Sequence, residues 1–382
     1  MQESGKRRIK IVHAGDFHLD SAFCRYGMAA GEKRREELRT IFSEFIAYIR
    51  NHGIDIVLLS GDLFDSEYAT HSTLDMLIRE FSSCRAQFFI SPGNHDPYKS
   101  GSIYKSGRFP ENVHIFTEET LSSYGIDELN VTVYGWAFTG ISHSFSPLSD
   151  KKAENKDRIN LVCGHCDTAA ALSAYCPVTE KDILEFSADY AGFSHIHNGA
   201  EMKKLGNCTY AYSGFLESRS FDERGMGGAW LVEIEKNGEK AELSATRLNF
   251  GRRRHEILTV DISGANDTQS AYEKISASLS KINLGTQCSL RIVLTGAVSS
   301  SFSSHQLENY SYGAEYVEIK NNTTPTFDTQ YLSDDMTLKG ELYRYLLPKL
   351  TEGTKEEREI ASLALKMGMS ALDGGDVTLI TE

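Results

Sequence analysis

No stretch of roughly 18 apolar residues occurs in this chain of 382, so the sequence offers no membrane-spanning helix. Residues Met1 to Arg8 are polar and basic and run straight into a strand-like stretch, without the apolar core of a signal peptide. Positive charge is in deficit. Forty Lys and Arg stand against 53 Asp and Glu, a net charge of −13, which argues against a protein that is basic all over. Affinity for phosphate then needs a local positive surface, or bound divalent cations that reverse the sign of an acidic site. Paired cysteines are missing too. There are seven, an odd number, and without an export signal they read as reduced thiols of a cytoplasmic protein. Cys163 and Cys166 form a CxxC, but no second pair or helix-opening context accompanies it, so the reading is two strand-end thiols. No repeat of solenoid type is found. What is present is ordinary for a globular chain, 40% hydrophobic and 24% charged, and long enough for two or more units.

The first stretch alternates strand and helix. Ile9 to Ala14 reads as a strand. Glu32 to His52 reads as an amphipathic helix, with Leu38, Ile41, Phe42, Phe45, Ile46 and Ile49 at helical spacing and Gly53 as its stop. A buried strand follows at Ile54 to Leu59, a helix at Thr73 to Cys84 and a strand at Gln87 to Ile90. Such alternation implies parallel strands joined by crossover helices. Strand signals then dominate at Val131 to Tyr134, Ile159 to Val162, Thr209 to Ser213 and Ala229 to Ile234. The expected fold is α/β, an α+β sandwich of two sheets with helices outside. After Gly251-Arg252-Arg253-Arg254, an αβ pattern of about 80 residues has the size of a small separate domain. Residues 299–304 read as a serine-rich loop and 321–330 as a linker. Thr337 to Leu346 and Lys355 to Leu372 read as helices.

Five polar motifs punctuate the first half: Asp16-Phe17-His18, Gly61-Asp62-Leu63-Phe64-Asp65, Gly93-Asn94-His95-Asp96, Gly164-His165 and His195-Ile196-His197. Most follow an apolar run, which places them at strand ends, where ligands of α/β sheets collect. Together they supply carboxylate, amide and imidazole donors suited to hard or borderline divalent metals. Two such ions about 3.5–4 Å apart can neutralise a phosphodiester and activate water, and they need one carboxylate between them. Asp62, closing a hydrophobic strand in a Gly-Asp turn, is the candidate bridge. Asp16 and His18 converge only if the chain turns after its strand. Asn94 offers a neutral oxygen; His165, His195 and His197 offer imidazoles. His95 lies too close to Asn94 to share its ion and suits transition-state stabilisation or proton donation. Asp96 is expected to orient that imidazole. The competing reading makes the aspartates turn or helix caps and the histidines core or surface residues; the ordered set of five weighs against it. His13 reads as core or as support behind the ligands. Asp20 and Asp65 read as ligand support or as turn residues.

These motifs resemble the calcineurin-like metallophosphoesterase superfamily, and within it the SbcD-type DNA repair exonucleases, especially the YhaO-like branch. The resemblance rests on residues 13–19, the helix with Arg34-Arg35, residues 56–65, Pro92 to Asp96, residues 189–197 and Tyr212 to Phe215, and spans roughly residues 9–235. It implies a nuclease domain over 1–250, a cap domain over 251–325 that contacts DNA, and a C-terminal helical segment over 326–382 that docks on a coiled-coil ATPase of SbcC type. It also implies two Mn²⁺ ions, one held by Asp16, His18, Asp62 and His197 and one by Asp62, Asn94, His165 and His195, with His95 catalytic, and a homodimer. Ser194 stands where the family usually has Gly, Asp20 where Gly is common, and Asp167 has no family role.

The leading expectation is a two-metal DNA exonuclease of the cytoplasm, with no membrane partner. Arg252, Arg253 and Arg254 join the ligand set in its support. The alternatives are a phosphodiesterase for a small nucleotide and a nuclease-fold scaffold for an ATPase.

Overall fold

Alternation along single strands builds the layers. In β2 (Ile56–Leu59), Ile56 and Leu58 point into one apolar cluster while Val57 and Leu59 point into another. The same split recurs in β3 (Gln87–Ile90), β7 (Ile159–His165) and β8 (Tyr190–Ser194). Strands buried on both faces need cover on both sides, and this fixes a sandwich of two sheets with helices outside.

The structure is a computed structural model that describes residues 8–24, 27–65, 69–106, 108–198, 201–265, 267–284, 287–299, 302–326 and 329–372. Most of the polar start (residues 1–7), part of the serine-rich loop (300–301) and part of the expected linker (327–328) lie outside the described residues. The chain divides into two units, 1–253 and 254–382.

The first unit holds β1 (Ile9–Ala14), α1 (Gly27–Asn51), β2, α2 (His71–Ser82), β3, α3 (Ile103–Ser106), β4 (Val113–Ile115), β5 (Ser122–Ile126), β6 (Val131–Gly135), β7, α4 (Glu180–Phe186), β8, β9 (Met202–Leu205), β10 (Cys208–Tyr212), β11 (Gly228–Asn237) and β12 (Lys240–Asn249). One sheet runs β12-β11-β1-β2-β3-β4, the other β5-β6-β7-β8-β10-β9. β1 to β4 are mutually parallel, as are β6, β7, β8 and β10. The remaining strands join antiparallel at the edges.

Ile11, Leu58, Phe89, Val133, Leu161 and Tyr190 fill the space between the sheets. Outside the first sheet, the stripe Leu38, Ile41, Phe42, Phe45, Ile46 and Ile49 of α1 buries against Val12, Val57 and Phe88. Outside the second, Ile183 and Phe186 of α4 meet Val162, Ala191 and Phe193. The two CxxC thiols fall on opposite faces, Cys163 between the sheets and Cys166 under α4, and both are free.

The second unit has its own cores. β13 (Arg254–Asp261), β14 (Cys288–Thr295) and β16 (Tyr316–Asn321) form a parallel sheet covered by α5 (Thr268–Leu279). β15 (Ala297–Ser299) pairs with β17 (Thr324–Thr326), so residues expected as a linker belong to a strand pair. A separate cluster joins α6 (Thr329–Asp334), α7 (Leu338–Glu352) and α8 (Lys355–Leu372). No helix among the described residues is long and apolar enough to cross a membrane.

Candidate metal centre

The predicted motifs emerge at the C-terminal ends of the parallel strands β1, β2, β3, β7 and β8. The first two loops are zipped together by backbone: Asp16 N donates to Gly61 O at 3.0 Å, His18 N to Asp62 O at 2.9 Å and Leu19 N to Leu63 O at 3.0 Å. The chain turns sharply to do this. Asp16 (φ 50°), His18 (φ 46°), Asp62 (φ 50°) and His195 (φ 104°) all adopt the left-handed region that L-residues avoid. Such residues cost on the order of 1–3 kcal/mol each and cluster where function over-determines the backbone.

The turns bring the donors together. Asp62 Oδ2 lies 3.6 Å from His18 Nε2 on one side and 3.4 Å from His165 Nε2 on the other. His197 Nε2 is 3.7 Å from Asp16 Oδ1 and 3.4 Å from His18 Nε2. Asn94 Oδ1 is 2.9 Å from His165 Nε2. The His195 ring packs edge-on against His165 at 5.1 Å, and its backbone N–H donates to Asp16. Three triplets, Asp16/His18/His197, Asp16/Asp62/His165 and His18/Asp65/His95, have ligand atoms within 4.8 Å of one another and could each hold a metal ion; the first two consist wholly of expected ligands.

Hydrogen bonding behind the donors tests whether a cation fits. His165 Nδ1 lies 3.1 Å from the Ser60 carbonyl, which can only accept, and a proton placed there would leave the Nε2 lone pair to ligate. That lone pair faces the Asn94 and Asp62 oxygens. His18 Nδ1 is likewise held by Asp65 at 2.7 Å and His197 Nδ1 by Glu223 at 2.9 Å, which turns both Nε2 atoms toward the carboxylates. The three Nε2 atoms and the Asp16 and Asp62 carboxylates thus converge as imidazole and oxygen donors of the kind a divalent cation takes. Titration separates the imidazoles: burial lowers His197, but Asp16 and Glu223 raise it above its ordinary value. Burial drives His165 down to about 3 and His18 down to about 4, which keeps both neutral and able to ligate. Burial, reinforced by the Asp62 charge and opposed by His197, raises Asp16 well above the carboxylate range. Burial pushes Asp62 up, yet it lies below its ordinary value, with the His95 imidazole and the His95 backbone N–H among the groups that hold it down. This donor set fits divalent metal.

His95 sits beside the donors, its side chain 52% exposed and its ring edge-on to His18 at 4.8 Å. Asp96 is not its partner. The buried Asp96 carboxylate accepts from the backbone N–H groups of Gly93 (2.7 Å), Asp62 (3.2 Å) and Leu63 (2.7 Å) and from the Tyr104 hydroxyl (2.6 Å). It braces the Asp62 turn. The carboxylate near His95 is Asp65, 3.3 Å from Nδ1, and this contact raises the imidazole to about 9. Asp65 thus serves His18 and His95 together.

Polar loop residues complete the surroundings without an advance signal. Ser21 Oγ donates to Asp65 (2.6 Å), Arg219 donates to Ser21 (3.2 Å), and Arg219 is also paired with the buried Glu223. Arg34 of α1 holds that loop through the Ser218 carbonyl at 2.7 Å. Ser194 hydrogen-bonds the Ser60 carbonyl and lies 3.1 Å from His165 Nδ1, so the Gly-to-Ser departure supports a ligand. Asp20 instead binds Arg39 (2.6 Å) and the Thr70 and Thr73 groups at the start of α2. Asp167 caps its own turn at Ala169 N. The arginine run is also engaged elsewhere: Arg252 pairs with Glu44, Arg253 is buried on Glu37 and Arg254 pairs with Glu256. It is therefore no free phosphate-binding patch.

Known proteins share this pattern. The model of the calcineurin-like phosphoesterase family matches residues 9–199, half of the chain. The uncharacterized metallophosphoesterase YhaO of Bacillus subtilis is 24% identical over 307 residues, 75% of this chain and 72% of that protein. The SbcD component of the nuclease SbcCD of Staphylococcus epidermidis is 22% identical over 260 residues (60% and 67%). The DNA double-strand break repair protein Mre11 of Methanopyrus kandleri is 20% identical over 286 residues (67% and 60%). With the family match covering every donor loop, the chain belongs to the calcineurin-like phosphoesterases and is a metal-dependent phosphoester hydrolase.

Proposed function

We propose that this hydrolase is a DNA exonuclease of the SbcD type, acting in repair in the cytoplasm and using two Mn²⁺ ions. The observation that carries the two-metal reading is Asp62, whose Oδ2 lies between His18 Nε2 (3.6 Å) and His165 Nε2 (3.4 Å). Asp16, His18, Asp62 and His197 would hold one ion, and Asp62, Asn94, His165 and His195 the other. When bound, such a pair supplies positive charge against the phosphate and lowers the pKa of water. The chain's own residues do the rest. Asp65 lies 3.3 Å from His95 Nδ1 and favours the charged imidazole, which would leave Nε2 to give a proton to the departing oxygen. Asp96 holds the Asp62 turn in place through three backbone N–H groups.

DNA as substrate is supported by the relatives named as part of a nuclease and as a break-repair protein. By the same likeness, residues 1–250 would be the nuclease domain and 251–325 a cap that meets DNA. Residues 326–382 would dock on a coiled-coil ATPase, and the enzyme would work as a homodimer. Incubating the purified chain with linear single- and double-stranded DNA and with bis-p-nitrophenyl phosphate, in Mn²⁺ or in EDTA, tests the assignment. Metal-dependent DNA cleavage is expected. Cleavage of the small ester alone would make it a small-nucleotide phosphodiesterase, and cleavage of neither would leave a scaffold.

A further inference from the structure

Beside the metal donors, two loops present aromatic surface that the hydrolytic chemistry does not use. The Tyr175 ring lies 4.9 Å from the His195 ring and inclined 34° to it, so one face covers a candidate ligand while 41% of the residue stays exposed. Phe145, 43% exposed, packs edge-on against His143 at 4.5 Å. His143 is itself almost wholly buried, edge-on to Phe138 at 5.4 Å, and Phe138 packs in turn on His165 at 5.6 Å.

The loops are joined and not free to drift. His143 N donates to Ala174 O at 2.8 Å, Cys176 N to His143 O at 2.6 Å, and Asp167 N to Tyr175 O at 2.9 Å. Buried rings thus back both exposed aromatics, and a contiguous ring path runs from each to a metal donor. Exposed aromatic surface, with Tyr175 directly on a candidate ligand and Phe145 backed by His143 and Phe138, suits a flat apolar group attached to the ester.

We propose that Tyr175 and Phe145 form a stacking platform for nucleobases flanking the scissile phosphodiester of a single strand. This rests on the phosphodiesterase reading above. Every base has a π-face, so such a platform is tolerant of sequence, and it contributes about 1–3 kcal/mol per base. In a chain of net charge −13, stacking supplies strand affinity that a basic surface would otherwise provide.

The test uses the full chain with Mn²⁺ and two substrates, oligothymidylate and an oligomer of abasic tetrahydrofuran residues with the same phosphodiester backbone. The parent should prefer the base-bearing oligomer in kcat/KM by about tenfold, chiefly through KM. Tyr175→Ala should reduce that preference to within twofold, and Tyr175→Trp should retain it. Phe145→Ala, which touches no candidate ligand, should reduce it in part. A binding readout runs alongside. In a His95→Ala background with Mn²⁺, a single-stranded oligonucleotide carrying 2-aminopurine should change fluorescence on binding, and adding Tyr175→Ala should abolish the change.

If the parent cleaves both oligomers and Tyr175→Ala leaves their ratio untouched, the platform is wrong and the hydrolytic reading stands. If nothing is cleaved but the fluorescence change still needs Tyr175, the platform stands and the hydrolytic reading falls. Absence of both signals ends both. Loss of self-association in Tyr175→Ala or Phe145→Ala, with the oligomer ratio unchanged, would assign the patch to contact between copies instead.

Discussion

At the scale of single residues, the working unit is a donor together with the group that aims it. Asp65 illustrates this. One carboxylate holds Nδ1 of His18 at 2.7 Å and Nδ1 of His95 at 3.3 Å, so it orients a candidate ligand and the candidate proton donor at once. Groups behind metal ligands typically carry about 10–100-fold in affinity or activity. Asp65→Asn is therefore expected to lower kcat by about that factor while Mn²⁺ stoichiometry in equilibrium dialysis stays near the parent value. An unchanged kcat would remove Asp65 from the account. His13 makes a different point. It is buried between the sheets, 2.8 Å from the Tyr190 hydroxyl, and burial with the Arg247 charge lowers it to about 3. Below its ordinary pKa near 6.5 the unfolded chain binds a proton that the folded chain refuses. Its contribution is thus fully present above pH 6.5 and is lost as pH falls toward 3. In EDTA, the stability of the parent relative to His13→Gln should decline below pH 6.5 by at most about 1.4 kcal/mol per pH unit. A flat difference between pH 7 and 4 would contradict the buried neutral imidazole.

At the scale of elements, legibility follows burial. β2 and β3 read as strands because nearly every residue is apolar, and α1 because its apolar residues recur on one face. β12, Lys-Ala-Glu-Leu-Ser-Ala-Thr-Arg-Leu-Asn, escaped notice: it is an edge strand whose half-buried residues are mostly small or polar. The donors could be read because strand ends carry them in short contiguous motifs. Glu223 and Arg219 could not be placed, and Asp65 only as ligand support or a turn residue, because in a polar loop the letters of an aimed carboxylate match those of a solvated one. Asp96 shows the limit of adjacency. It follows His95 directly, yet the turn sends its carboxylate back under the Asp62 loop. That turn also depends on Gly93. A Cβ there would lie 2.2 Å from Asp62 Oδ1 and 2.8 Å from Asp62 N, so the proposed bridging residue would have to move. Displacements of about 1 Å at a reacting centre can cost on the order of 10²-fold. Gly93→Ala should lose activity on that scale while far-ultraviolet circular dichroism stays native. Near-parental turnover would show that the Asp62 position is not critical.

At the scale of the whole molecule, the first unit assembles its site from five strand ends and the loop around residue 219, whereas the second unit encloses separate apolar cores. All the candidate donors lie within residues 16–197, so any stabilisation by metal must enter through the first unit. A ligand that binds only the folded form stabilises it by about 2.7 kcal/mol at a hundred times its Kd. Removing metal does the reverse, and here it leaves the buried Asp16 and Asp62 carboxylates with only the neighbouring imidazoles of His18, His165 and His197. Calorimetry of the full chain should therefore resolve a transition that moves up by several degrees between EDTA and Mn²⁺, and a second that does not move. Asp62→Ala should cancel the shift, because it removes the carboxylate lying between His18 and His165. A shift that survives in Asp62→Ala would mean that the metal stabilises the protein elsewhere, and the shared-carboxylate centre would have to be abandoned.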